Sequence, residues 1–146
     1  YRRAFNITPS HAEPGSLLYL ARFGTVSESV HRSYPSEHVA KIVRSLGGGV
    51  FDTREANPEK FKNLSQKAET IIADQGSAVF GVMQWKTKSV IELAHSWWWH
   101  NANLFIAQGS GVENYAVIHV DKSSRPELES KIKYYIERYT AHPNND

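Results

Sequence analysis

The sequence of 146 residues contains no cysteine and only one methionine. The absence of cysteine excludes disulfides, thiol nucleophiles and thiolate metal sites together, so the fold depends on its packed core. Long apolar runs are also missing: the strongest cluster is Trp97-Trp98-Trp99, far short of the roughly 18 residues that a membrane span needs. Neither sign of charge dominates, since the formal net charge is +2. That value does not by itself indicate a nucleic-acid partner, and no membrane partner is expected.

Sequence motifs with a fixed spacing are equally scarce. No phosphate loop, dinucleotide fingerprint or nucleophile elbow occurs, and Gly47-Gly48-Gly49 is interpreted as a helix stop. His95 and His100 are five residues apart, whereas two ligands on one helix usually lie three or four apart, so we expect neither a metal nor a cofactor.

The length of the chain and its hydrophobic content of 40% are typical of one globular domain. We expect residues 1–146 to form a single catalytic domain, cut from a longer polypeptide because the chain begins Tyr1-Arg2-Arg3 without methionine.

Hydrophobic spacing predicts both helices and strands. The predicted helices cover residues 16–23, 35–46, 57–73, 89–99 and 124–139, and the predicted strands cover residues 50–53, 77–83, 104–107 and 115–120. Residues 108–111 supply turn chemistry, so the last two strands are expected to pair as an antiparallel hairpin. This arrangement shows no βαβ rhythm. The predicted fold class is therefore α+β, an antiparallel sheet with C-terminal hairpin strands and several packed helices.

Histidine is the residue type that stands out, with seven in the chain. Imidazole titrates near neutral pH, so a pair of histidines can serve as base and acid. In the predicted last strand Tyr115, His119 and Asp121 share one face, and Ala116 and Ile118 share the other. Asp121 would orient the imidazole and stabilise its charged form. The pattern predicts a shallow polar site on a half-buried strand, with a solvated surface strand as the alternative.

Two segments carry a resemblance to a known family. Residues 103–107, the following loop and residues 115–121 resemble the last hairpin of pancreatic-type ribonucleases, which holds the catalytic acid in a Tyr…His-x-Asp strand. His11 is followed eleven residues later by Arg22, a spacing shown by cysteine-free bacterial toxin domains with a ribonuclease A-like fold. The chain is therefore similar to these toxin domains, which are of the contact-dependent inhibition type.

This resemblance implies a metal-independent endoribonuclease. One histidine would take the proton of a ribose 2′-hydroxyl, the other would protonate the departing 5′-oxygen, and a cation would stabilise the phosphorus oxygens. The site residues that it implies are His11, His119, Arg22, Lys41, Asp121 and Tyr115. The implied partners are an RNA substrate and an acidic immunity or inhibitor protein. The protein would be secreted, or delivered into the cytoplasm of a target cell.

Two other functions fit parts of the sequence. Residues 1–5 resemble the opening aromatic-Arg strand of ADP-ribosyltransferase toxins, residues 50–53 take the place of a later strand of that family, and Glu113 is the candidate glutamate. That resemblance implies ADP-ribosyl transfer or NAD cleavage. The second alternative is a non-catalytic protein-interaction module anchored by Trp99, Tyr134 and Tyr135. Of the three functions, we expect the ribonuclease.

Overall fold

Strands and helices alternate along the chain in a computed structural model, which describes residues 12–24, 33–82, 87–97 and 101–140. The strands are β1 (Glu13–Ala21), β2 (Gly49–Asp52), β3 (Ala68–Asp74), β4 (Ser89–Ala94) and β5 (Asn114–His119). The helices of these ranges are α1 (Ser36–Ser45), α2 (Pro58–Lys67), α3 (Ser77–Val82), α4 (Ala102–Ser110) and α5 (Arg125–Thr140). A short 3₁₀ turn, Val120–Lys122, joins β5 to α5.

The sheet has the strand order β2-β1-β3-β4-β5, and all four neighbouring pairs are parallel. This is the flavodoxin-like order of a doubly wound α/β fold. The chain passes from β1 to β2 on one side and then returns to β3 on the other side of β1, so the topological switch point lies between β1 and β3. The predicted α+β class with an antiparallel sheet is therefore wrong.

Helices cover both faces of the sheet. Residues of α1 and α5 pack on one face against a cluster that includes Tyr19, Ile72 and Ile91. Residues of α2, α3 and α4 pack on the other face against a cluster that includes Leu20 and Ile71. Every residue of β3 and of β4 is buried. In the sequence, a strand that is buried on both faces is a nearly continuous run of apolar residues, without the alternation of apolar and polar residues that marks a half-exposed strand.

This double burial explains why several elements were predicted with the wrong type. Residues 16–23 were predicted as a helix, but residues 16–21 form most of β1; residues 89–94, predicted as the start of a helix, form β4. The helix predicted over 57–73 ends at Lys67, and the apolar residues after it belong to β3. Residues 77–82 are helical, although a strand was predicted there. A short apolar run fits a buried strand and a buried helix equally well.

The predicted C-terminal hairpin is also wrong. Residues 104–107 lie inside α4, which ends at Ser110, and Gly111 follows in the left-handed conformation with φ of +82°. The glycine-rich segment is thus a helix C-terminus rather than a hairpin turn. β5 pairs in parallel with β4 instead, with Tyr115 beside Val90 and His119 beside Ala94. The parallel pairing overturns the resemblance to the ribonuclease hairpin.

The elements with local end signals are confirmed. The Asn57 side chain accepts the Lys60 backbone N–H at 3.0 Å and Pro58 occupies the first position of α2, as expected for a capped helix start. Helix α1, β2 and α5 lie within one or two residues of their predicted bounds. Among the residues that the structure describes, no helix combines the length and apolar character required to cross a membrane.

Candidate functional site

A cleft of about 590 Å³ opens at the carboxyl edge of the sheet, around the ends of β1, β2 and β3. In open α/β sheets, ligands bind outside the carboxyl ends of the strands at the topological switch point. We call this the switch-point cleft. The lining side chains used below are Arg22, Phe23, Phe51, Arg54, Phe61 and Asp74.

Arg22 directly follows β1 and contributes a cation to the switch-point cleft. Its Nη1 donates to the Gln75 carbonyl oxygen at 3.4 Å. The guanidinium lies against Gly76, because a Cβ built on that glycine would come within 3.1 Å of Nη1. Within the described ranges, no carboxylate forms an ion pair with Arg22. Its positive charge therefore stands over the loop that follows β3, next to the switch point.

Arg54 supplies a second cation, from the loop after β2. Its Nε and Nη2 bind the Asp52 carboxylate at 3.0 and 2.6 Å, and these hydrogen bonds hold the pKa of Asp52 below its usual value. The remaining Nη1 faces Gly24, where a Cβ would come within 3.0 Å of it. Arg54 is thus paired with a carboxylate, which leaves Arg22 as the stronger attraction for an anion.

Aromatic side chains form an apolar wall beside the two arginines. The rings of Phe51 and Phe61 lie 5.7 Å apart between centroids, at an interplanar angle of 57°. Phe61 also lies against Gly81, where a Cβ would come within 3.0 Å of the ring. Phe23, half-buried, lines the cleft as well. An apolar wall with a few convergent charges is the usual composition of a small-molecule pocket.

The buried carboxyl of Asp74 lies at the end of β3, next to the main chain of Arg22. It is 1% exposed, and the Tyr19 hydroxyl donates to it, 2.8 and 2.9 Å from its two oxygens. The Arg22 backbone N–H donates to Oδ2 at 2.7 Å, and the Ser36 hydroxyl oxygen lies 3.1 Å from the same atom. Burial raises the pKa of Asp74 to about 7, although each of these hydrogen bonds lowers it. Burial and the neighbouring Asp74 raise the pKa of Tyr19.

A second buried carboxyl, that of Glu92, lies in the middle of β4. Glu92 has no exposed surface; the Asn103 amide donates to its Oε1 at 2.7 Å, and the Tyr115 hydroxyl donates to its Oε2. Burial and this contact with Glu92 raise the pKa of Tyr115. Tyr115 is therefore engaged beneath α4 and does not belong to an open polar face.

The other predicted site residues within the described ranges do not lie near Arg22. His119 ends β5, an edge strand, whereas Arg22 follows β1, and three inter-strand steps separate the two strands by about 14 Å. Lys41 is exposed on α1. His11 lies outside the described residues. Arg22 is the one predicted site residue that lines the switch-point cleft in the described part of the chain.

Asp121 has a different partner from the one predicted. Its carboxylate accepts the Ser96 backbone N–H at 2.7 Å and the Ser96 hydroxyl at 2.5 Å. Burial by itself would raise the pKa of Asp121, but these hydrogen bonds outweigh it, and the pKa lies below its usual value. Asp121 thus ties the end of β5 to the loop after β4.

His95, beside Ser96, contributes to a second cleft of about 440 Å³ together with Tyr34 and Asp121. Its Nε2 donates to the Ser33 carbonyl oxygen at 3.1 Å. The imidazole packs against the rings of Tyr34 and Trp97, at centroid distances of 5.0 and 5.6 Å. The described residues contain no group of three or more His, Asp or Glu side chains that could hold a metal ion.

The ribonuclease hypothesis is therefore wrong, because the hairpin on which it rested is absent. The ADP-ribosyltransferase alternative does not fit either: Glu113 lies before β5, at the amino edge of the sheet, where its N–H donates to the Lys88 carbonyl. For the interaction module, Tyr134 is exposed but Tyr135 packs against the core. Residues 1–5 and Trp99 lie outside the described ranges. The RNA substrate, the inhibitor protein and delivery into a target cell stay predictions without a test.

The sequence did contain signals for this edge of the sheet. A charged residue ends or follows an apolar run, and a glycine comes two residues later, in Ala21-Arg22-Phe23-Gly24 and again in Ala73-Asp74-Gln75-Gly76. Both segments follow buried strands and line the same cleft. Recognising β1 and β3 as parallel strands would have brought Arg22 and Asp74 together, since the carboxyl ends of parallel strands meet at one edge.

No family model matches the chain, and no curated protein matches it. Among solved structures, the chain is similar to a protein described as a CheY-like protein (tadZ) from Pseudomonas aeruginosa PAO1, with 13% sequence identity and a TM-score of 0.45. The match covers 90% of this chain and 97% of that chain. A similarity with this identity and TM-score does not indicate a function. The fold assignment rests on the strand order and the parallel pairing of the strands.

Proposed function

We propose that this domain binds a small anionic molecule with an aromatic ring system, of the nucleotide class, in the switch-point cleft. The observation that carries the proposal is the position of two guanidinium groups, each packed against a loop glycine, beside a wall of phenylalanine rings. A nucleotide combines the anionic and the ring-shaped part that these two surfaces suit.

The anionic part of the ligand would be held by Arg22. Planar guanidinium groups bind phosphate oxygens through two parallel hydrogen bonds. Arg22 has a neutral carbonyl as its hydrogen-bond partner in the loop after β3, so its charge is available to a ligand. Arg54 adds positive charge from the opposite loop, reduced by its pairing with Asp52.

The ring of the ligand would pack on the apolar wall. Phe61 and Phe23 are partly exposed and line the cleft, whereas Phe51 is almost completely buried against Phe61. The volume of about 590 Å³ lies within the range of roughly 300–1,000 Å³ that is usual for pockets of drug-sized ligands. The cleft is large enough for a nucleoside monophosphate.

Titration of the ¹⁵N-labelled protein with AMP, followed by NMR, tests the proposal. We expect shifts of the backbone amides of Arg22, Gly24, Arg54 and Gly76, and an affinity about tenfold or more weaker in Arg22→Gln, because a charged hydrogen bond to phosphate is lost. The matched control is Arg138→Gln, an exposed arginine on α5 whose partner is the Tyr134 hydroxyl. Equal AMP affinity in both variants, or shifts confined to other loops, would overturn the proposal.

Adenosine and inorganic phosphate separate the two halves of the cleft. Each should bind more weakly than AMP, since each engages only one of the two surfaces. If phosphate binds as tightly as AMP, the phenylalanine wall contributes nothing and the ring requirement is wrong. If adenosine binds as tightly as AMP, the anion requirement is wrong.

A further inference from the structure

The main chain of Arg22 is held on both sides by one buried cluster. Its N–H donates to Asp74 Oδ2 at 2.7 Å, and its carbonyl oxygen accepts the Ser36 hydroxyl at 3.0 Å. Ser36 Oγ also lies 3.1 Å from Asp74 Oδ2, and Tyr19 binds the same carboxyl from β1. The position of Arg22 over Gly76 therefore depends on Asp74.

We propose that Asp74 is the positioning residue of the switch-point cleft, and that its ionised form weakens the binding of an anion at Arg22. This inference rests on the proposed function. Asp74 lines the cleft to which Arg22 contributes its cation, so an anion bound there would stand close to the carboxyl. Like charges repel strongly where burial excludes water. Loss of the carboxyl proton should therefore lower the affinity for an anion.

The groups packed around Asp74 determine how readily its carboxyl loses its proton. Among the residues that the structure describes, three groups face it: the Tyr19 hydroxyl from β1, the Ser36 hydroxyl from α1 and Arg22 from the segment after β1. Of these, Arg22 alone is charged at neutral pH. Burial raises the pKa of Asp74 to about 7, so its charge would change within the neutral range.

Sulfate titrations at pH 6, 7 and 8, followed by NMR, test this role, because the charge of sulfate is constant over that range. The wild-type dissociation constant should rise about threefold to tenfold from pH 6 to pH 8, relative to that of Asp74→Asn. Asparagine mimics the protonated carboxyl, so this comparison cancels the contributions of all other titrating groups. Tyr19→Phe removes a hydroxyl but no carboxyl, so a pH dependence should remain, moved to higher pH because this hydroxyl no longer lowers the pKa of Asp74.

A second measurement needs no variant. The ¹³C shift of the Asp74 carboxyl reports its titration directly, and saturating sulfate should raise the midpoint, since coupling between the proton and the anion is reciprocal. A merely structural role would leave the midpoint unchanged.

The outcomes separate this role from the proposed function. If the wild type binds neither AMP nor sulfate at any of the three pH values, the proposed function falls and the role of Asp74 falls with it. If sulfate binds, but with the same pH dependence in Asp74→Asn or with no change of the Asp74 midpoint, the role of Asp74 is overturned while the cleft stands.

Discussion

The Tyr19 hydroxyl donates to the Asp74 carboxyl across the β1–β3 pair, 2.8 and 2.9 Å from its two oxygens. Neither side chain has more than 1% of its surface exposed. This buried contact joins the two strands that flank the switch point, and the Arg22 main chain is attached to the same carboxyl. The position of Arg22, the principal cation of the cleft, thus depends on hydrogen bonds in the core of the sheet.

Tyr19→Phe should destabilise the fold by about 1–3 kcal/mol, because it removes one hydrogen-bond donor from a buried carboxyl and fills its place with nothing. Chemical denaturation with urea at pH 7 measures the free energy of unfolding. Tyr134→Phe is the control: that tyrosine is 55% exposed on α5, and its substitution should change stability by less than about 0.5 kcal/mol. Equal effects of the two substitutions would contradict the buried hydrogen bond.

The pH dependence of stability should carry the signature of Asp74. Its folded-state pKa is raised from 3.8 to about 7, so between these values the folded state holds a proton that the unfolded state has lost. The contribution of Asp74 is fully present below about pH 4, falls as the pH rises, and is gone above about pH 7. We expect the wild-type free energy of unfolding to fall by up to about 4 kcal/mol relative to Asp74→Asn over this window. Urea denaturation of both proteins at pH 4 to 8 measures this change. If the difference in free energy of unfolding between the wild type and Asp74→Asn does not vary with pH, the prediction is wrong.

Gly24→Ala should lower both stability and AMP affinity. Gly24 has φ of +82°, and a Cβ there would lie 3.0 Å from Arg54 Nη1, so alanine introduces backbone strain of about 1 kcal/mol and displaces the guanidinium. Gly47→Ala is the matched control, since Gly47 has φ of +79° with no atom within 4 Å of the Cβ position. Both variants should lose similar stability in thermal denaturation. A selective loss of AMP affinity is expected in Gly24→Ala, and an equal loss in both would exclude a role of Arg54.

Tyr115→Phe should destabilise the protein by about 1–3 kcal/mol, because Glu92 would lose a side-chain donor inside the sheet and keep the Asn103 amide. In a Glu92→Gln background the same substitution should lower the free energy of unfolding by less, since a buried neutral amide needs fewer hydrogen bonds than a buried carboxylate. A double-mutant cycle from urea denaturation gives the coupling free energy. Additive effects of the two substitutions would show that the hydroxyl and the carboxyl do not interact.

The sequence alone was sufficient for the elements whose ends carry local signals. Asn57 followed by Pro58 marks the start of α2, and Gly47 ends the turn that follows α1; both signals act through the backbone of a few neighbouring residues. The absence of cysteine also excluded disulfides and thiol chemistry within these 146 residues without any structure. The function inferred from His11, Arg22 and His119 depended on long-range geometry, and it was wrong.

Tertiary structure decided the identity of the buried strands and of the site. The apolar runs of β1 and β4 suit a helix as well as a strand, and only the helices packed on both faces of the sheet select the strand. Parallel order then brings Arg22 beside Asp74, 52 residues further along the chain, and leaves His119 at the far edge. Local patterns cannot encode such neighbours, because sheet order depends on the free energy of packing the whole chain.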